Sequence, residues 1–294
     1  MADSDLTPEA IAHIQKRYLA LLLMTDEYLG NIFSVMDRHH MWEDTFFLYT
    51  TDHGYMAKNY MPAYNEVFHI PLIVHLPGGK FAGRRVKALT QNIDIMPTLL
   101  EYYGIPESSC RNPLHGRSLL PLIEGSCERT RDVILYGYFG KQMNVTDGRY
   151  TYFRSPNAEN RPLNLYTAMP TDIREYFYSP FPDAEDRHRI SDPSRITLAH
   201  LPWTPYPVFK IPADAVMDND DGSLRYVRLY DWEMEDQLYD LEQDYAQMHN
   251  LAAREPETVR KMQEKMRQLL RAYDAPAEQY ERLRLEDTIV VHEN

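Results

Sequence analysis

Cysteine is almost absent from this chain, with only Cys110 and Cys127 among 294 residues. Two thiols make no disulfide framework and fit a reducing compartment. Basic charge is short as well: 31 Lys and Arg stand against 44 Asp and Glu, a formal net charge of −13. Nucleic acid is therefore not an expected partner, because phosphate backbones are held by a clustered positive face. Long hydrophobic runs are missing too. The longest aliphatic stretch, Leu19 to Met24, falls far below the roughly 20 apolar residues that cross a bilayer, so no membrane partner is expected. The first residues, Met1-Ala2-Asp3-Ser4-Asp5, are acidic and polar, unlike a signal peptide. These absences point to a cytoplasmic protein. Asn144-Val145-Thr146 has the pattern of a glycosylation sequon, a chance match where no secretion signal precedes it. The sequence contains no internal repeats and no low-complexity tracts.

What is present is organised around residues 46 to 54, Phe-Phe-Leu-Tyr-Thr-Thr-Asp-His-Gly. The apolar and β-branched run reads as a buried strand that stops at an acid, an imidazole and a glycine. Ligands of open α/β sheets sit at the carboxyl ends of strands. Along a regular strand Asp52 and His53 point to opposite faces. Gly54 permits a turn that swings both towards one ion, and a carboxylate beside an imidazole suits a divalent metal. The alternative is an aspartate that caps the turn and a histidine that packs nearby.

Ahead of this strand, Thr7-Pro8-Glu9 is a helix start, with threonine at the cap and proline in the first turn. Apolar residues at Ile11, Ile14, Tyr18, Leu22, Leu29, Ile32, Phe33 and Met36 predict a long helix, broken near Gly30, that covers the sheet. Asp26 and Glu27 read as its solvated face. Beyond the strand, Leu72 to Leu76 predicts a second strand buried on both faces. Asn92 or Asp94 then caps a helix reaching about Tyr103, ended by Gly104 and Pro106. Asp94 is read as structural. From Glu107 to Gly125, proline and glycine leave no room for a long element.

From Asp132 the texture changes. Val133 to Tyr138 and Asn144 to Phe153 read as strands, with Asp147-Gly148 as a hairpin turn. Residues 155–212 form a proline- and tyrosine-rich insertion of loops and short helices. Leu224 to Tyr230 and Gln237 to Leu241 add strands, and Pro256 opens a final helix with Val259, Met262, Met266, Leu269 and Leu270 on one face.

After the Asp52 strand come Lys58 and then Ala63-Tyr64-Asn65-Glu66-Val67-Phe68-His69-Ile70-Pro71-Leu72-Ile73-Val74-His75-Leu76-Pro77-Gly78. This block resembles the sulfatase family, within the alkaline-phosphatase-like superfamily of metal-dependent hydrolases. That family carries a strand ending in S/T-D-[NH]-G, a lysine, and a Y-E-x-x-x-x-[VI]-P-L-[IV]-V-x-x-P-G run. Asn65-Glu66 stands near its acidic pair and His69 replaces its usual arginine. Further similarities are Asp94 to Leu100, Gly116 to Leu122, and Gln237 to Glu242 followed by Asn250-Leu251. Only the latter part of the family pattern is matched.

The resemblance implies an α/β fold: the latter part of a sulfatase-like mixed sheet with flanking helices over residues 1–130. A smaller α+β subdomain with an antiparallel sheet and C-terminal helix would follow over residues 131–294. It implies hydrolysis of a sulfate ester, or of a phosphate or phosphonate ester. Asp52 and His53 would be half of a divalent-metal site, for Ca²⁺ or Mg²⁺ and, through the imidazole, Mn²⁺ or Zn²⁺. Lys58 would place a point charge on the sulfate or phosphate oxygens. The family nucleophile lies in a C/S-x-P-x-R motif upstream of this strand, and none precedes Asp52. Cys110-Arg111-Asn112-Pro113 has its proline one place late. Ser191-Asp192-Pro193-Ser194-Arg195 fits letter for letter but follows the metal strand, which leaves Ser191 a minor candidate. The expectation is a part lacking its nucleophile and inactive alone. A non-catalytic binding or oligomerising remnant is the rival, and exposed sheet edges favour a homo-oligomer.

Overall fold

The computed structural model describes residues 7–54, 64–168, 189–190, 193–213, 216–217 and 235–286. The chain divides into two compact units, Met1–Val86 and Lys87–Asn294.

The first unit opens with helix α1 (Pro8–Arg38). Thr7 caps it as its sequence predicts, its hydroxyl accepting from the Ala10 amide at 3.2 Å. No break occurs at Gly30. A single glycine weakens a helix by only about 1 kcal/mol, and here Ser34 donates its hydroxyl back to the Gly30 carbonyl. The expected covering role is not met either. Met36 is the buried residue of α1, while Leu19, Leu22 and Leu23 are 58%, 45% and 72% exposed. By length and composition α1 is long and apolar enough to cross a membrane. The short aliphatic run concealed this, because Tyr, Phe, Ile and Val extend the apolar stretch around Leu19–Met24 without continuing it.

After α1, Trp42 forms a small aromatic cluster. Its ring lies 5.4 Å from Phe33, 5.8 Å from Phe47 and 4.8 Å from His75, and its indole donates to Asp37 at 2.7 Å. Strand β1 (Phe47–Thr50), helix α2 (Asn65–Phe68) and strand β2 (Leu72–His75) follow. The two strands pair antiparallel, Phe47 opposite His75 and Thr50 opposite Leu72. Among the described residues they form a two-stranded sheet. Ile73 is 57% exposed, so β2 is not buried on both faces as its apolar run predicts. The run reports composition, and a two-stranded ribbon has too few neighbours to bury it.

In the second unit, α3 (Ile95–Tyr102) and α4 (Leu120–Glu124) precede a four-stranded antiparallel sheet. Its strands β3 (Ile134–Gly137), β4 (Met143–Thr146), β5 (Tyr150–Arg154) and β11 (Gln237–Asp240) lie in the order β11-β5-β4-β3. The Asp147-Gly148 turn joins β4 to β5 as expected, with Gly148 at φ 91°. Helix α5 (Pro256–Ala272) lays Met262, Met266 and Leu270 on this sheet, against Val145, Tyr152 and Leu238. Short α6 (Ala277–Arg282) follows, and Leu283 and Leu285 close the core fully buried.

The described residues of the insertion include strands that its sequence did not suggest. Strands β6 (Asn164–Thr167), β8 (Thr197–Ala199) and β9 (Val208–Pro212) form a three-stranded sheet with β9 central. Strands β7 (Arg189–Ile190) and β10 (Val216–Met217) pair with each other. The expected strand over Leu224 to Tyr230 lies outside the described residues.

Candidate metal centre

Asp52 and His53 emerge directly after β1, where the strand ends. Gly54 anchors them. Its amide donates to the Val67 carbonyl at 2.7 Å, and a Cβ added at this position would stand 2.0 Å from the Glu66 carbonyl oxygen. Only glycine permits so close an approach of two backbones. The turn that follows β1 is thus pinned to α2, and the two preceding side chains are held at the strand's carboxyl end.

Asp52 Oδ1 accepts the His53 backbone amide at 2.8 Å, which leaves Oδ2 turned towards solvent and 3.9 Å from His53 Nε2. The Asp52 side chain is 89% exposed and that of His53 45%. His53 Nδ1 lies 2.8 Å from the Gly54 carbonyl. A carbonyl only accepts, so this contact assigns the ring proton to Nδ1 and leaves the Nε2 lone pair free to bind an ion. Metal-binding histidines are commonly oriented in this way. One oxygen and one imidazole nitrogen 3.9 Å apart are within the span that two ligands, each about 2.0–2.6 Å from a shared ion, can occupy. The donor set fits a divalent cation as two of its ligands. Among the described residues no group of three or more His, Cys, Asp or Glu side chains is placed to hold one. Lys58 and Ser191 lie outside the described residues.

Asp94 behaves differently. It is fully buried, and Arg131 meets it in a bidentate pair at 2.5 and 2.7 Å. The same carboxylate accepts from the Gln91 and Arg117 amides, each at 2.8 Å. Every lone pair is engaged, so Asp94 locks the start of α3 to the segment around residue 117, as its structural reading expects. Arg131 was not readable as its partner, because a pairing across 37 positions follows no local period.

Comparison with known proteins places part of this chain beside a known family. The sulfatase family pattern matches residues 3–105, which include α1, β1, Asp52, His53 and β2. The multifunctional alkaline phosphatase superfamily protein PehA of Trinickia caryophylli is 33% identical over 135 residues, 44% of this chain and 26% of that protein. Human arylsulfatase K is 35% identical over 121 residues, 40% of this chain and 22% of its own length. The phosphonate monoester hydrolase of Agrobacterium radiobacter superposes with a TM-score of 0.57 at 20% identity, over 92% of this chain and 43% of that one. BT4656, solved in complex with its substrate D-glucosamine-2-N,6-O-disulfate, gives 0.58 at 17% identity, over 93% and 44%. The chain thus matches about a quarter of the length of these curated relatives and under half of the solved chains. Residues 3–105 thus carry the sulfatase family pattern, and the fold of the chain is similar to that of part of these solved structures.

Proposed function

We propose that these residues are the latter part of a sulfuric ester hydrolase, supplying half of its divalent-metal site. The observation that carries this reading is the solvent-facing Asp52–His53 pair at the end of β1, with its ring proton assigned to Nδ1. When bound, the ion would polarise the ester oxygens and lower the pKa of a coordinated nucleophile. Asp52 contributes negative charge and His53 a neutral nitrogen, which suits Ca²⁺ or Mg²⁺ and also admits Mn²⁺ or Zn²⁺. Lys58 adds positive charge where the non-bridging oxygens gain negative charge in the transition state.

The nucleophile comes from outside these 294 residues. No C/S-x-P-x-R motif precedes Asp52, and Ser191 follows it in the insertion. Phosphate or phosphonate monoesters are the second substrate reading, favoured by the likeness to the phosphonate monoester hydrolase fold. The exposed leucines of α1 support self-association into a homo-oligomer, and the low cysteine content supports a cytoplasmic location. A purely binding or oligomerising role is the rival from another class.

The test is calorimetry with Ca²⁺, Mg²⁺, Mn²⁺ and Zn²⁺, alongside turnover of aryl sulfates, phosphates and phosphonates. The chain alone is expected to bind an ion weakly through Asp52 and His53 and to turn over none of the esters. Activity should appear when a separately expressed family half bearing C/S-x-P-x-R is added. Ion binding that survives loss of both side chains would remove the site. Robust turnover by the chain alone, abolished in Ser191→Ala, would make Ser191 the nucleophile instead.

A further inference from the structure

A cavity of about 380 Å³ opens in the second unit at the β3–β4 connection. Its walls include Tyr136, Phe139, Met143 and Leu163, with Gln279 and Arg282 from α6. The volume is that of a small-ligand site, and the lining has the usual composition of one: mostly apolar, with a few polar groups.

Arg282 is the unusual member. Its residue is only 3% exposed. The guanidinium donates from Nη1 and Nη2 to the Lys141 carbonyl, both at 3.1 Å. It also donates from Nη1 to Asn160 Oδ1 at 2.7 Å and from Nε to Gln279 Oε1 at 3.3 Å. These are neutral acceptors. Among the described residues no carboxylate pairs with it, and four of its five N–H groups are used, leaving one on Nη2. Every other strongly buried arginine seen here has its acid: Arg131 has Asp94, and Arg154 has Asp236. The nearby carboxylate of Glu278 is already committed to Lys210, Asn164 and Tyr166. Burial without a counter-charge pulls Arg282 down to about 10. Buried charges are ordinarily paired, because an unpaired one is costly. The Arg282 guanidinium thus sets a single positive charge in the wall of an otherwise apolar cavity.

We infer that this cavity binds a small organic anion, its charged group on Arg282 and its apolar body against Tyr136, Phe139, Met143 and Leu163. The shared chemistry is a carboxylate, sulfate or phosphate carried on an aryl or short alkyl group. The inference stands on the second unit alone and is independent of the metal reading. Inorganic sulfate supplies the charge without the body, and benzyl alcohol the body without the charge.

The experiment titrates the full chain with benzoate, phenyl sulfate, phenyl phosphate, inorganic sulfate and benzyl alcohol, by calorimetry at low and high salt. At least one aryl anion should bind, with benzyl alcohol roughly ten-fold weaker or more, as expected for loss of a charge-assisted hydrogen bond. Which anion binds best identifies the head group. Arg282→Lys keeps the charge and loses the fork, and should weaken binding by a similar factor. Because Arg282 also holds Lys141 and Asn160, a variant that leaves those contacts alone is needed as well. Phe139→Ala removes an exposed wall of the cavity and should weaken the aryl anion while leaving the far-ultraviolet spectrum and melting temperature unchanged. Three outcomes would overturn the inference: no aryl anion binding at millimolar concentration, equal binding of benzyl alcohol, or binding indifferent to Phe139→Ala.

Discussion

In the Lys87–Asn294 unit several charged side chains are drawn inside and answered by a partner, whereas in the Met1–Val86 unit Asp52 and His53 stand in solvent. Asp94 meets Arg131 with both side chains almost wholly buried. Burial raises Asp236, but the Tyr152 hydroxyl, the Ser155 amide and the Arg154 guanidinium together hold it below its usual range. Burial likewise lifts Asp147, and the hydrogen bond from Lys265 brings it down. Such closed networks have nothing left to offer a ligand; they fix the fold. The Asp52 pair is the reverse, with one oxygen and one ring nitrogen that no hydrogen bond among the described residues engages. The difference teaches where to seek chemistry: in groups that the structure positions but leaves unsatisfied.

The comparison can be broken by mutation. Asp94→Ala should be the most damaging change, because it strands Arg131 as a buried, unpaired charge; about 3–5 kcal/mol of stability should be lost. Urea unfolding measures this, and a loss below about 1 kcal/mol would remove Asp94 from the scaffold. Gly54→Ala comes next. Its Cβ meets the Glu66 backbone, and the displacement should cost about 1–3 kcal/mol while also weakening divalent-ion binding.

Lys141 gives a pH test. Burial places its folded-state pKa near 8, below the ordinary 10.5 of the unfolded chain. Between those values the unfolded state binds more protons, so stability should rise as pH rises from about 8 to 10.5. The gain should be on the order of 1–2 kcal/mol after solvent screening is allowed for. Thermal melts across that range should show the rise, and Lys141→Met should flatten it. The smallest stability effect belongs to Asp52→Ala, within about 0.5 kcal/mol because the side chain is so exposed. If the same change leaves calorimetric ion binding intact, the contrast between the units loses its functional meaning.

Legibility followed the range of the interactions. Thr7 at the start of α1, the Asp147-Gly148 turn and the apolar face of α5 were readable because each is written in neighbouring residues. The sheet of β6, β9 and β8 was not, since β6 pairs with a strand more than forty positions away. Nor was the exposure of α1, because periodicity marks an apolar face without saying what covers it. For the candidate site, Asp52, His53 and the need for Gly54 were local and readable, whereas the tie between Gly54 and Val67 was not. The buried, acid-free Arg282 had no local signature at all.

Leu283 and Leu285, both fully buried, have a consequence for synthesis. Arg154 donates to the Leu283 carbonyl at 2.6 Å and to the Arg284 carbonyl at 2.8 Å, and Arg267 to the Leu285 carbonyl at 3.1 Å. The sheet that begins at residue 134 is therefore fastened by residues made some 150 positions later. While the chain is being translated, at roughly 5–20 residues per second, that sheet must wait many seconds for its last fastener to leave the ribosome. Throughout the wait Val145, Tyr152 and Leu238 lack part of their cover, and it is then that the nascent protein is most in need of a chaperone.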